Sequence, residues 1–155
     1  MKTFFYRLWQ WTWGFFQSLL GFLVYLRNCK RPHFSFHGAV VTLWKNKSSV
    51  SLGMFVFVTD EPYFCEKLKD EYSPEELARR LLVHEYGHTI QSLLLGPLYL
   101  IAIGIPSTLW GFLPCALRLR KEKPLSYFAF FTESWANRLG ERVTGEKAME
   151  QLLID

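Results

Sequence analysis

Residues 73–97 read SPEELARRLLVHEYGHTIQSLLLGP, and the fold turns on how this stretch starts, what it carries and how it stops. Ser73 is a good helix cap, Pro74 suits the first helical position, and Glu76 completes a capping box. Gly96-Pro97 ends the helix, because proline cannot continue it. The helix is therefore expected to run to about Leu95. Leu77, Leu81, His84, His88, Gln91 and Leu95 recur every three or four residues and share one stripe, which turns both histidines inward. Two imidazoles on a buried apolar stripe need partners, and a shared cation satisfies both at once.

Within this helix, His84-Glu85-Tyr86-Gly87-His88 has the form HExxH. Helical residues four apart stack with β-carbons about 6 Å apart, so His84 and His88 can converge on one metal ion. Glu85 is offset too far to be a ligand, but near enough to act as general base on a water held by that ion. Zinc suits the ligand type, although manganese, iron or cobalt would take the same set. A third ligand is required, and Glu133 is the best candidate, because it is a lone carboxylate in an otherwise apolar helical stretch. His37, His33 and Asp60 compete with it. His37 could instead orient substrate or stabilise an oxyanion, a role equally open to Tyr127 and Arg138.

Outward from the helix, residues 36–58 read as a β-hairpin: β-branched residues 39–44, a polar turn at Lys45-Asn46-Lys47-Ser48, then a strand over 50–58 that is apolar on both faces. Pro124 opens a further helix through Leu139 that Gly140 ends, and a short amphipathic helix spans 146–154. The expected fold class is α+β: a β-hairpin or small antiparallel sheet packed on the HExxH helix, with apolar membrane-associated helices.

Two apolar blocks stand apart. The first, residues 8–26, is bounded by Lys2 and Arg7 on one side and Arg27, Lys30 and Arg31 on the other. It is long enough for one crossing, but Gln10, Gln17, Gly14, Gly21 and three Trp residues at one end suit an interfacial helix equally. Residues 1–31 thus read as an N-terminal anchor helix, spanning or interfacial, and 32–155 as a single domain. A cleaved signal peptide is disfavoured, because Arg27-Asn28-Cys29-Lys30-Arg31 stands where small residues belong. The second block, residues 93–119, is about 27 residues, roughly 40 Å as one helix. Folding it back at Gly104-Ile105-Pro106-Ser107 gives two arms too short to span, an apolar hairpin that re-enters or lies in the interface.

The 155 residues suffice for one domain; half are hydrophobic, 17% are aromatic, and the net charge is +4. Its Lys and Arg residues flank the apolar blocks instead of lining one helix, which fits lipid headgroups and argues against nucleic acid. The basic runs at 27–31 and 118–123 would both sit on the cytoplasmic side, with the site facing the cytoplasm. Cys29, Cys65 and Cys115 are odd in number and form no CxxC pair, so no disulfide framework or cysteine metal cluster is implied.

The two motifs resemble the gluzincin metallopeptidases, especially the membrane-embedded HtpX and CAAX-prenyl-protease type. The HExGH helix of that family is matched by His84, Glu85, Gly87 and His88. Its ExxAD context is matched by Glu133-Ser134-Trp135-Ala136-Asn137, with Asn137 in place of Asp. The resemblance covers about a third of the chain. It implies a zincin-like domain, zinc, hydrolysis of peptide bonds in a peptide or protein substrate, and an edge strand, here 50–58, that pairs with extended substrate. Asn137 and Gln91 are candidates for groups behind the ligands. The competing expectations are a metal-binding protein without activity and a membrane-anchored interaction module in which the tryptophans anchor the interface.

Overall fold

The computed structural model describes residues 3–59, 68 and 70–149. It is an α+β fold in which a four-stranded mixed sheet and a set of helices share one core around the 73–97 helix. In chain order the elements are α1 (Thr3–Thr12), α2 (Phe15–Arg27), β1 (His33–Phe36), β2 (Ala39–Trp44), β3 (Val50–Leu52) and β4 (Phe55–Thr59). After these come α3 (Pro74–Leu95), α4 (Ile105–Phe112), α5 (Pro114–Glu122) and α6 (Phe131–Thr144). A 3-10 turn (Gly96–Leu98) and a π turn (Leu100–Gly104) link α3 to α4, and another 3-10 turn (Tyr127–Ala129) precedes α6.

The start and stop of α3 are those the sequence expects. Ser73 Oγ accepts from the Glu76 amide at 3.2 Å, Pro74 occupies the first turn, and Gly96 closes the helix. The Glu76 carboxylate, however, turns to Arg80 one turn on (2.9 Å) instead of reaching back to Ser73. Burial goes beyond one stripe: every residue from 81 to 92 is buried, so α3 is a central helix covered all round.

The 36–58 hairpin divides differently from expectation. The second strand breaks at Gly53, whose φ of 61° lies in the left-handed region that glycine adopts freely, and Gly53-Met54 forms a two-residue turn between β3 and β4. β4 then inserts between β3 and β2, and pairs with β2 in parallel, Val41 opposite Val56. The sheet order is β1-β2-β4-β3, mixed and not antiparallel. All five β4 residues are buried, as a strand covered on both faces requires. Phe55 packs on Phe22, Tyr25 and Trp11 of the N-terminal helices, and α3 covers the other side of the sheet.

The helices bring further corrections. Block 8–26 is two helices, α1 and α2, broken at Trp13-Gly14. Block 93–119 does not fold back at Gly104-Ile105-Pro106-Ser107: Gly104 and Ile105 are right-handed helical, and Pro106 sits in the first turn of α4, where its missing amide costs no hydrogen bond. The chain instead bends by 119° between Leu98 and Leu100, and turns again at Leu113-Pro114. Among the described residues no single helix is long and apolar enough to cross a membrane; the segments Pro74–Leu98 and Leu100–Phe112 pass that test only as a bent pair. Pro124 does not open α6, which spans Phe131–Thr144 and is capped by Gly145. Residues 146–149 are not helical; Glu146 is instead clamped by Arg79. The rest of the expected 146–154 helix, together with Asp60 and Cys65, lies outside the described residues.

Gly140, expected to end a helix, is an internal contact. A β-carbon there would sit 2.2 Å from the Val83 carbonyl oxygen, and one at Gly87 would sit 1.9 Å from that of Ala136. The two glycines let α3 and α6 approach backbone to backbone. That contact places Glu133 over the histidines.

Candidate metal centre

Three side chains from two helices converge. His84 Nε2 lies 3.2 Å from Glu133 Oε2, and His88 Nε2 lies 3.3 Å from the same oxygen. Two zinc bonds of about 2.0–2.1 Å at a tetrahedral angle hold their ligand atoms about 3.3 Å apart, so each histidine–glutamate spacing fits a shared ion, and all three atoms lie within 4.8 Å of one another. Among the described residues this is the group of three or more metal-binding side chains.

The tautomers follow from the outer partners. His84 Nδ1 is 2.8 Å from Asn137 Oδ1, and His88 Nδ1 is 2.7 Å from Gln91 Oε1. An amide oxygen only accepts, so each Nδ1–H donates and each neutral imidazole turns its Nε2 lone pair toward Glu133. Gln91 is itself fixed, because its Nε2 donates to the Thr132 carbonyl at 2.8 Å. The carboxylate is split in use: Oε1 accepts from the hydroxyls of Ser107 (2.5 Å) and Thr132 (2.8 Å), which leaves Oε2 to the imidazoles. Three acceptor atoms thus face one another in a buried space and need a cation between them.

The electrostatics show the same demand for positive charge between these groups, met by a proton on His88. Burial alone would lower His88, but Glu133 beside it prevails and its pKa is pushed up to about 9. Burial alone would raise Glu133, yet the imidazoles of His88 and His84 hold it well below the usual carboxylate range.

Glu85 stands beside this cluster on the wall of a cavity of about 740 Å³. Ser51, on the edge strand β3, donates to Glu85 Oε2 at 2.7 Å and lies 2.8 Å from the Glu85 carbonyl oxygen, which pins the acid to the strand. Tyr99 also lines the cavity and donates to the Ser51 carbonyl at 3.2 Å. Tyr127 lines it too, its hydroxyl 3.5 Å from Ser107 Oγ, and burial first, then Glu133, raises its pKa well above the ordinary phenol. The remaining wall is largely apolar and includes Val50, Leu81, Ile103, Leu109 and Phe128.

The structure brings together His84, Glu85, His88, Glu133, Asn137 and Gln91. It does not bring in His37, which sits exposed at the β1–β2 turn (φ 46°) and whose carbonyl oxygen accepts from Tyr86 OH. His33 is tied to Thr42 Oγ1 and the Cys29 carbonyl, also away from the cavity. Arg138 is exposed and lines no part of it, so Tyr127 alone remains of the three expected oxyanion candidates. Ser51, Tyr99, Ser107 and Thr132 escaped the sequence reading, because nothing in their local pattern marks hydroxyls that tertiary packing alone carries to the site.

Compared with models of known families, with curated proteins and with solved structures, the chain matches none.

Proposed function

We propose that the chain is a zinc-dependent metallopeptidase of the zincin-like, gluzincin type, with His84, His88 and Glu133 as ligands and Glu85 as general base. The observation that carries this reading is the convergence of three metal-binding side chains, with Glu133 Oε2 at 3.2 and 3.3 Å from the two imidazole nitrogens, beside an acid that is not one of them. Zinc bound there would supply polarisation of a peptide carbonyl and acidification of water. Glu85, aimed by Ser51, takes the proton of the attacking water as its oxygen bonds to the carbonyl carbon. The same carboxyl then returns that proton to the amine nitrogen as the C–N bond breaks. Substrate would lie extended along β3, the edge strand beside Glu85, not along all of 50–58, because Phe55–Thr59 is a central strand. Tyr127, which lines the cavity, would donate to the developing oxyanion.

A purely structural metal site is the second reading. It would close its fourth position with protein, whereas the described residues offer three ligands that open on a cavity, which favours catalysis. The test is Glu85→Gln against wild type, with dye-quenched casein as substrate and bound zinc measured alongside. Zinc retained and cleavage reduced by about 10²-fold or more supports the proposal; cleavage unchanged in the variant overturns it.

A further inference from the structure

The N-terminal helices bury their amides and expose large apolar side chains, which is unusual for a surface in water. The side of α1 and α2 turned to the protein mixes apolar contacts, Tyr6, Trp11, Phe22 and Tyr25, with a fully buried polar set: Gln10 and Gln17 are 0% exposed, and Ser18 is equally buried. Gln10 Nε2 donates to the Thr89 carbonyl (2.9 Å), and Gln17 Nε2 donates to Ser92 Oγ (2.9 Å) and to the Gly96 carbonyl (3.0 Å). Ser92 Oγ donates to Gln10 Oε1 (2.9 Å) and Ser18 Oγ to the Gln10 carbonyl (2.8 Å), so the polar groups are bonded to the protein's own interior. The outward side is apolar: Phe4 is 69% and Phe16 59% exposed, with Leu8, Leu20 and Leu23 open beside them.

The apolar surface does not stop at α2. Trp9 Nε1 donates to the Leu93 carbonyl at 3.2 Å, and Trp13 packs where a side chain at Gly96 would be, so both rings meet the end of α3. There Leu94, Leu98 and Ile101 are exposed, and beyond the bend Ile105, Leu109 and Phe112 of α4, which also line the cavity, are exposed too. Contiguous apolar surface on this scale marks a partner or a membrane.

Charge decides the occupant. No Asp or Glu occurs in residues 1–59 or 86–121, the two segments that build this face. Exposed cations border it instead: Arg27, Lys30 and Arg31 after α2, and Arg118, Lys121 and Lys123 on and after α5. A second copy would bring like charges together, whereas anionic headgroups complement them while acyl chains cover the apolar side chains.

We propose that the outward face of α1, α2 and α4 seats in a lipid bilayer with anionic headgroups. Neither α1 nor α2, at about 15 and 20 Å, spans a hydrocarbon core of about 30 Å, so the face embeds instead of crossing as one helix. This inference stands apart from the hydrolytic reading and survives its failure.

The test uses the purified full chain with phosphatidylcholine vesicles, with and without phosphatidylglycerol, some carrying brominated acyl chains. Expected are flotation with the vesicles, stronger with phosphatidylglycerol, and bromine quenching of tryptophan fluorescence that diminishes in Trp9→Phe/Trp13→Phe. Phe16→Glu/Leu20→Glu/Leu23→Glu alters side chains already exposed, so it retains the wild-type circular dichroism and lowers the bound fraction by about tenfold or more. Should that triple variant misfold, Phe4→Glu/Leu8→Glu probes the same face on α1 with the same expectation. A chain that stays in the aqueous phase as a monomer overturns the proposal. So does one that self-associates through these residues with no bromine quenching.

Discussion

His88 Nε2 and Glu133 Oε2 stand 3.3 Å apart across 45 residues of sequence, and the contact is buried. It exists because α3 and α6 cross with glycine against carbonyl, and because Ser107 and Thr132 hold the other carboxylate oxygen. The approach of Glu133 to the two histidines is thus set by backbone packing and by these hydroxyls.

The first prediction concerns that crossing. Gly87→Ala drives a methyl group to 1.9 Å from the Ala136 oxygen, and backbone cannot yield as a flexible side chain can. We expect a loss of at least about 2 kcal/mol in urea denaturation. Zinc affinity should fall with it, because the helices separate at the ligands. Gly140→Ala, which meets Val83 O at 2.2 Å, should behave alike.

A second prediction concerns the amides behind the histidines. Asn137→Leu and Gln91→Leu each leave an imidazole N–H without its acceptor, and zinc affinity measured by competitive chelation should drop by about 10–100-fold. Asn137→Asp should bind zinc at least as tightly as wild type. Its Oδ1 still accepts from His84, and the Asn137 Nδ2 it replaces has no hydrogen-bond partner to lose.

How much of this was legible in the sequence divides by physical cause. The helix α3 was legible because its cap, its first-turn proline and its stop are local, and the common facing of His84 and His88 because four-residue spacing is a property of any helix. Glu133 could be inferred because a lone carboxylate among apolar residues is itself a signal. The parallel pairing of β2 with β4 was not legible: alternation fixes which face a residue takes, not which strand lies beside it. Gly140 looked like a stop because glycine has two uses, and only the proximity of Val83 distinguishes close approach from chain reversal. The fold-back at Gly104–Ser107 failed for the same reason, since Pro106 in a first turn starts a helix as readily as it breaks one.

A third prediction follows from the clamp on residue 146. Arg79 donates to the Glu146 carboxylate and thereby lowers its pKa below the ordinary 4.5. A carboxyl with a depressed folded-state value contributes stability above its ordinary pKa, and loses it as pH falls through the folded value. Both side chains are partly solvated, so a double-mutant cycle with Arg79→Ala and Glu146→Gln should give about 0.5 kcal/mol of coupling at pH 7. The coupling should fade as the pH is lowered through that folded-state value.

Ser107 supplies a fourth. Its hydroxyl, carried on α4, is one of two that bond Glu133 Oε1. Ser107→Ala should weaken zinc binding by less than His84→Ala does, because Thr132 still holds that oxygen at 2.8 Å. Isothermal titration of both variants checks the order; equal loss in the two would contradict it.

The central claim is that His84, His88 and Glu133 hold one cation together, and the most direct measurement is the zinc content of the purified chain beside His84→Ala and Glu133→Ala. The account predicts one tightly held zinc per chain in wild type, absent from both variants after dialysis. Zinc kept by Glu133→Ala, or no zinc in wild type after saturation, would contradict it.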